Sequence, residues 1–343
     1  MKKIPLLAIA LGVALTGTAQ AQSSVTVYGA VDAGLIKRTG AKLAVGKRDA
    51  NTLGFKGSED LGSGLKAIFQ LEMRYEPDTG TVENGVRPLF QGQSRVGLAG
   101  GFGMLRIGRG VPAYMESITA FEPFHGLPTP AGFYTDIAVA GYTSQPLDAT
   151  GNSFNRMSNA LFYNSMEYGG FQVNATVATK EANNGPAIAG RGSNALPQYP
   201  ANAPASANPF SISGTYKHGM LGALLAYERN GVESTVWSVA ASVKPVAALK
   251  LMASYADQDR GHSMAANETS TAWVVGANYT IGNAGTMLLG YGRKMPDGVT
   301  STRQWSLGYE YPLSKRTYLY ADASDKKTAA AVRHVDLGMR ASF

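Results

Sequence analysis

The chain contains no cysteine, and after its first residues it has no long apolar run. Without cysteine there can be no disulfide framework, no thiolate metal site and no thiol nucleophile. Without an apolar stretch of roughly 20 residues, a membrane-spanning helix is excluded beyond the N-terminus. Histidine is also scarce, and the four histidines are scattered along the chain, which leaves little for a histidine-based catalytic centre. They are His125, His218, His262 and His334.

The first 21 residues have the features of a secretory signal peptide. Lys2 and Lys3 precede the apolar run IPLLAIALGVAL, and the small-residue sequence AQA follows it as a cleavage site. The run is too short to span a bilayer, which argues against a membrane anchor. We therefore predict a leader at residues 1–21 and a single exported domain at residues 22–343. Losing two lysines from a formal net charge of +7 leaves the mature chain mildly basic, so nucleic acid binding is not indicated.

What the chain does have is a repeated alternation of apolar and polar residues. In GLKAIFQLEMRY, Leu65, Phe69 and Met73 share one face, while Lys66 and Gln70 share the other. Sixteen segments of about ten residues follow this period of two. Such strands have one apolar and one polar face, and they keep the mean hydropathy near zero. The segments GTMLLGYGRK and RTYLYADASD fit either parity, so their facing stays unassigned.

The connections between these segments alternate in length. Short Gly-rich turns such as Gly100-Gly101 alternate with longer polar loops, notably residues 111–153 and 182–208. Repeated short strands occur more commonly in soluble β-sandwiches than in membrane barrels. Here, however, aromatic residues gather near segment ends, as interfacial girdles do, and the polar rows could line water inside a barrel. We predict an all-β fold, a 16-stranded antiparallel transmembrane β-barrel with short periplasmic turns and long external loops.

The last segment, HVDLGMRASF, keeps the alternation up to the terminal Phe343. In hydrocarbon no backbone polar group can stay unpaired, so the last strand must close against the first. We expect Phe343 to face lipid near the rim of this sealed wall.

Several stretches resemble the general porins of Gram-negative, particularly β-proteobacterial, outer membranes. They are LGFKGSEDLGSGLKAIFQLE at residues 53–72, the opening SSVTVYG, the FG…GR stretch at residues 102–109 and the terminal strand. The resemblance covers essentially the whole mature chain. It implies a homotrimer in the outer membrane, with the third external loop folded into the lumen as a constriction. It also implies that the outer-membrane assembly machinery recognises the terminal aromatic.

The pore of such a barrel is where we expect function to lie, because sixteen strands leave an aqueous channel. Loop 111–153 is long and rich in aromatic residues, and folding inward would bury them and place Glu116, Glu122 and Asp136 in the pore. Opposite these acids we expect a basic wall that focuses the field on passing ions. By strand parity its members are Lys56, Lys66, Arg74, Arg95 and Arg106. Arg156 matches a pore arginine of the related porins.

Ion selectivity follows less clearly from the sequence. The related porins commonly carry pore arginines where this chain has Thr52 and Gly92, and we expect Arg95 and Arg106 to substitute for them. Inward parity gives more Lys and Arg than acids, and the relatives often prefer anions, so we predict a weak anion preference. The loop acids argue in the opposite direction. The clearest inward acids are Asp32, Glu72, Glu310 and Asp336.

Other classes of outer-membrane barrel stay open as alternatives. A barrel hydrolase would need a nucleophile with a positioned base, and only His125 with Glu122 could form such a pair; no GxSxG, HExxH or Walker motif occurs. A substrate-specific channel or an adhesin would use the long loops, but loop 182–208 is typical of an extended solvated segment. We predict a passive diffusion channel, not an enzyme, that needs no cofactor or metal. Its partners would be further copies of itself, membrane lipid, lipopolysaccharide, ions and small hydrophilic solutes.

Overall fold

A computed structural model describes residues 23–85, 87–148, 154–181, 201–259 and 269–343. The predicted signal peptide at residues 1–21 lies outside these ranges, as do His262 and most of loop 182–208. In the part of the chain that is described, no helix is long and apolar enough to cross a membrane.

The described residues form one antiparallel sheet of seventeen strands. The strands are β1 Ser24–Arg38, β2 Ala44–Gly46, β3 Asn51–Gly62, β4 Leu65–Tyr75, β5 Gln93–Gly100, β6 Gly103–Gly110, β7 Met157–Asn164, β8 Phe171–Ala178, β9 Phe210–His218, β10 Leu221–Arg229, β11 Thr235–Val246, β12 Leu249–Asp259, β13 Thr269–Thr280, β14 Thr286–Pro296, β15 Thr302–Pro312, β16 Thr317–Lys327 and β17 Ala331–Ser342. The helical elements are short: α1 Ala113–Ile118 and the 3-10 turns Glu83–Gly85, Thr119–Phe121 and Ile137–Val139.

β2 and β3 together occupy one strand position in the barrel. Both pair with the same edge of β1, β3 with its first half and β2 with residues 34–36. Residues 47–50 between them leave the sheet and carry Arg48 into the interior, where its side chain is buried. The seventeen strands therefore fill sixteen positions, which confirms the predicted strand number.

The barrel closes where the last strand meets the first. β17 pairs with β1 from Ala30 opposite Ser342 to Arg38 opposite His334. Beyond that register, the backbone N–H of Phe343 donates to the carbonyl oxygen of Gly29 at 3.0 Å, and the Gly29 N–H returns a bond at 3.2 Å. The structure thus places the terminal residue in the sealed wall, with its half-exposed ring over Gly29 on the outer surface.

The outer surface is apolar because alternate side chains of each strand point outward. Val25 and Leu35 of β1, Leu225 of β10 and Leu337 of β17 are at least 50% exposed. A contiguous belt of such side chains would be unfavourable in water but is the surface that hydrocarbon requires. The predicted alternation is confirmed by this belt.

The two ends of the barrel differ in the lengths of their connections. Tight turns, the start of β1 and the terminal Phe343 lie at one end, which we call the short-turn end. The opposite, long-loop end carries the two longest connections, residues 111–156 and 179–209. Three other connections at the long-loop end are only a few residues long, so the predicted asymmetry comes mainly from the first half of the barrel. They are residues 230–234, 297–301 and 328–330.

The inner face is not polar throughout. On β10 and β14 the inward side chains of Leu224 and Leu288 are buried against residues of loop 111–148. Their position explains why GTMLLGYGRK fits either parity, since Leu288 faces the interior and Leu289 faces outward. Likewise Tyr320 of β16 is buried inside while its neighbour Leu319 is exposed. The sequence could not assign these strands because protein, rather than water, covers their inner face.

Substitution of Gly29 tests the packing of the closing seam. A Cβ at this position would lie 2.3 Å from the carbonyl oxygen of Thr52 and 2.7 Å from the ring of Phe343. We expect Gly29→Val to lower the free energy of unfolding by about 1–3 kcal/mol through overpacking. Urea titration in lipid vesicles, followed by tryptophan fluorescence, measures the change.

Gly214 provides the matched control. It pairs with the outward Leu225 on the neighbouring strand, and a Cβ there would meet open space. Gly214→Val should leave the stability unchanged or slightly higher. Equal losses in both variants would contradict the tight seam.

Candidate functional site

Residues 111–148, which we call the inner loop, leave the end of β6 and cross the barrel interior. Near its start, the backbone N–H of Tyr114 donates to Ser211 Oγ at 2.8 Å, and the Oγ atoms of Ser117 and Ser213 are 2.7 Å apart. The hydroxyls of Tyr114 and Ser238 lie 2.5 Å apart. The loop therefore begins on the inner faces of β9 and β11.

Farther along, the inner loop reaches the other side of the barrel. Asn278 Nδ2 of β13 donates to the carbonyl oxygen of Pro123 at 2.8 Å. Gln304 Nε2 of β15 donates to the carbonyl oxygens of Pro130 and Gly132 at 3.0 and 3.1 Å. These bonds from distant strands hold residues 123–132 against the inner faces of β13 and β15.

Aromatic side chains anchor the inner loop to the inner faces of β10 and β11. Tyr114, Tyr134 and Tyr142 are buried together with the inward Leu224 and Val236. The burial of these large aromatic side chains stabilises the folded position of the inner loop in addition to its hydrogen bonds. This cluster explains why the loop is rich in aromatic residues.

A second cluster fixes the far half of the inner loop against strands that carry inward glycines. The rings of Phe124 and Phe133 lie 6.3 Å apart and are fully buried. A Cβ at Gly290 would lie 2.3 Å from the ring of Phe133, and one at Gly276 would lie 2.6 Å from Pro123. Because glycine has no side chain, the inner loop can approach the backbone of β13 and β14 closely at these positions.

Asp136 links the inner loop to the barrel wall by ion pairs. Its carboxylate contacts the Nζ atoms of Lys294 and Lys326. Burial would raise the pKa of Asp136, but the two ammonium groups outweigh it and hold the pKa at about 2. Asp136 therefore remains ionised, and its charge is compensated locally.

Glu122 lies inside the inner loop, which differs from the position in the lumen expected from the sequence. Its Oε2 accepts the backbone N–H of Gly126 at 2.7 Å, and its Oε1 accepts that of Phe133 at 2.9 Å. The side chain is buried. Burial raises the pKa of Glu122 to about 7 despite these bonds. Its role is to satisfy backbone donors of a folded loop, which residue spacing alone does not reveal.

Glu116 is the loop acid that does face open space. It is exposed, and Asn164 Nδ2 donates to its Oε2 at 3.5 Å. It interacts electrostatically with both Arg95 and Arg106 of the facing wall. The structure thus places these three residues near one another.

Two cavities lie on either side of the inner loop. The cavity toward the long-loop end, the upper cavity, has a volume of about 720 Å³ and includes Arg48, Arg74, Asp136, Lys294 and Lys326. The cavity toward the short-turn end, the lower cavity, has a volume of about 310 Å³. Its lining residues include Lys56, Gln70, Ile68, Met104, Arg95 and Arg106.

The predicted basic wall is therefore divided between different environments. Arg74 borders the upper cavity, 3.7 Å from Glu72. Lys66 is exposed beside the tight turn that opens β4. Arg156 is buried and donates from Nε to the carbonyl oxygen of Gly92 at 2.7 Å, so it supports the return of the inner loop to β7. Lys56, Arg95 and Arg106 share the lower cavity.

Sequence reasoning missed two basic residues that organise the interior. Arg48 donates from Nε to Asp322 at 2.7 Å and from Nη1 to Glu310 at 2.5 Å. Lys250 donates to the carbonyl oxygen of Ala120 in the inner loop at 2.6 Å. The polar KRDA stretch interrupts the alternation and signals a break, but the partners of Arg48 lie more than 260 positions away. No local pattern could have identified them.

Comparison with known proteins places this site in context. A model of the family described as Gram-negative porin matches residues 7–331. Outer membrane porin protein 32 of Delftia acidovorans is 31% identical over 96% of this chain and 91% of its own length. An outer membrane porin protein of Bordetella pertussis is 26% identical over the full length of both chains. A solved structure described as an anion-selective porin from Comamonas acidovorans aligns with a TM-score of 0.75 and 23% identity, covering 94% of this chain and 100% of that one.

Neutralising Asp136 should loosen the inner loop. In Asp136→Asn the ion pairs to Lys294 and Lys326 are lost. Because the inner loop is then held less firmly, we expect its movement to cause brief drops in the single-channel current at pH 7 in planar bilayers, where the wild-type current is steady. Because the folded pKa is lowered, the stabilisation from Asp136 is present above its ordinary value of 3.8 and is lost as pH falls through about 2. Wild-type current should therefore stay steady from pH 7 to pH 4.

The matched control is Asp297→Asn, an exposed acid in a turn at the long-loop end. It should leave the current trace unchanged. A steady trace in Asp136→Asn, or instability of the wild type that begins near pH 6, would contradict the proposed link.

Glu122 should give the stability of the protein a pH dependence of the opposite sign. Its raised pKa means that the folded state keeps a proton that the unfolded chain loses between about pH 4.5 and 7. Wild-type stability should fall across this window, by at most about 3 kcal/mol. Urea titrations in vesicles at a series of pH values should show a flatter profile for Glu122→Gln. Glu116→Gln should keep the wild-type slope, and a wild type whose stability rises over this range would rule out a protonated Glu122.

Proposed function

The chain belongs to the Gram-negative porin family, and from this premise we propose that its channel carries small anions in preference to cations. It is an outer-membrane porin, whose water-filled barrel lets ions and small hydrophilic solutes diffuse passively. The finer question is which charge passes more easily. That depends on which lumen charges remain uncompensated after the inner loop has folded.

The observation that carries the proposal is the pairing of the lumen charges. In the upper cavity, Lys47 lies 3.0 Å from Glu76 and Arg48 lies 2.7 Å from Asp322, so their fields are largely cancelled. In the lower cavity, Lys56, Arg95 and Arg106 form no ion pair with any described residue. A confined lumen with uncompensated positive charge raises the local concentration of anions.

The loop acids oppose this preference less than their number suggests. Asp136 is compensated by two lysines, and Glu122 is buried with a raised pKa. Glu116 alone of the three is exposed. The balance therefore favours anions, in keeping with the description of the Comamonas structure as anion-selective.

Assembly and export form a further part of the proposal. We propose a homotrimer exported by the leader at residues 1–21 and recognised by the assembly machinery through Phe343, with lipopolysaccharide against the outer rim. The apolar belt supports membrane residence, and a Vibrio cholerae outer-membrane protein of similar fold is described in a trimer form. The relatives are channels, and both oxygens of Glu122 are occupied by backbone donors, which leaves the hydrolase alternative without support.

Reversal potentials under a KCl gradient test the anion preference. The wild type should give the sign expected for chloride permeation. The double variant Arg95→Gln with Arg106→Gln should lower the chloride-to-potassium permeability ratio by about half or more. Glu116→Gln should raise the ratio, because it removes the exposed negative charge.

Lys315→Gln removes one positive charge from an exposed turn at the short-turn end and serves as the control. It should leave the ratio unchanged. A wild-type potential that indicates clear cation selectivity would overturn the proposal.

A further inference from the structure

We propose that the lower cavity is a saturable binding site for small organic monocarboxylates that carry a short apolar chain. The inference rests on the proposed anion preference and deepens it by naming a ligand class. The cavity lies on one wall of the barrel, bordered by β1, β3, β4, β5 and β6, and is open to the aqueous lumen on the short-turn side of the inner loop.

Neutral groups hold the three cations of this cavity. Arg95 donates from Nε and Nη2 to Gln70 Oε1 at 3.2 and 2.9 Å. Arg106 donates from Nη2 to the amide oxygen of Asn164. Lys56 Nζ lies 5.2 Å from the centroid of the Tyr28 ring. Each contact orients a positive group without cancelling its charge.

The arginines also retain unused hydrogen-bonding capacity. Nη1 of Arg95 and Nε of Arg106 have no hydrogen-bond partner among the described residues, but both atoms are buried, so a ligand would contact other atoms of these two lining residues. A guanidinium that is largely removed from water gains most from an anionic partner, and its planar fork matches a carboxylate. Glu116 of the inner loop interacts electrostatically with both arginines but forms no ion pair with either.

An apolar surface adjoins the charged groups. Ile68 of β4 and Met104 of β6 line the same cavity and point inward. Inward apolar residues such as Leu224 and Leu288 are covered by the inner loop, whereas Ile68 and Met104 belong to neither cluster that packs against it. The apolar side chains of Ile68 and Met104 are therefore available for contact with an apolar part of a ligand in the lower cavity.

The two halves of the cavity together specify the ligand class. A carboxylate would engage Arg95, Arg106 and Lys56, and a short alkyl chain would lie on Ile68 and Met104. Each methylene buried there should tighten binding roughly fourfold. Chloride and inorganic phosphate satisfy only the charged half, so the site should favour a four-carbon acid such as butyrate over acetate.

The test is current through wild-type channels in planar bilayers as potassium butyrate replaces potassium chloride over a concentration series. Butyrate current should saturate while chloride current rises in proportion to its activity. Added butyrate should also reduce chloride current at low millimolar concentration, whereas inorganic phosphate should do so more weakly.

Two kinds of variant separate the charged and apolar halves of the site. Met104→Ser should raise the half-saturating butyrate concentration roughly tenfold and leave that of acetate nearly unchanged. Arg106→Gln should raise both. Lys217→Gln, which removes an inward lysine on β9 across the lumen, is the matched control and should leave butyrate saturation as in the wild type. A wild-type circular-dichroism spectrum of each purified variant verifies that the barrel has folded.

The outcomes distinguish this inference from the proposed function. Butyrate current that never saturates, equal losses for acetate and butyrate in Met104→Ser, or block by phosphate as strong as that by butyrate would each overturn the monocarboxylate site. If reversal potentials still indicate anion preference in those cases, only this inference falls. A cation-selective wild type would overturn the proposed function itself.

Discussion

A strand in hydrocarbon must find all of its backbone hydrogen-bond partners within the protein, and the remaining features of this molecule depend on that constraint. The seam between β17 and β1 satisfies it, with Phe343 and Gly29 exchanging the last pair of bonds. Once the wall is closed, one face of each strand contacts lipid and the other encloses a lumen. Period-two alternation is the consequence of this division, and it accounts for a membrane protein with mean hydropathy near zero.

The inner loop then divides the lumen into the upper and lower cavities. Where the loop packs, the inner wall carries buried leucine, alanine and glycine beside the polar side chains that bond the loop; where it does not pack, the wall borders the lower cavity. Ion pairing follows the same division. Asp136 and Arg48 hold polypeptide in place and cancel their partners' charges, whereas Arg95 and Arg106 are held by neutral amides and keep theirs. Selectivity in this channel is therefore a matter of which charges are left unpaired rather than of how many there are.

Features that depend on local pattern could be predicted from the sequence. Strand number and barrel closure follow from alternation and turn composition, whereas the inward course of the third loop is implied by the resemblance to general porins. Features that depend on contacts between distant residues could not be predicted. The facing of Leu288 depends on a loop more than a hundred residues earlier, the burial of Glu122 depends on how that loop turns, and the role of Arg48 depends on two acids near the other end of the chain. Strand parity predicts that Lys56, Arg95 and Arg106 face inward, but their place at the lower cavity without ion pairs required the structure.

The central claim is that adjacent residues of one strand lie in opposite media around a water-filled lumen. The absence of cysteine makes a direct measurement possible, with single cysteines at neighbouring positions of β4 and a membrane-impermeant thiol reagent added to open channels in a bilayer. Gln70→Cys should react and reduce the conductance, because residue 70 lines the lower cavity, while Leu71→Cys should not react, because residue 71 faces outward. Reaction at both positions at similar rates, or at position 71 alone, would contradict the account.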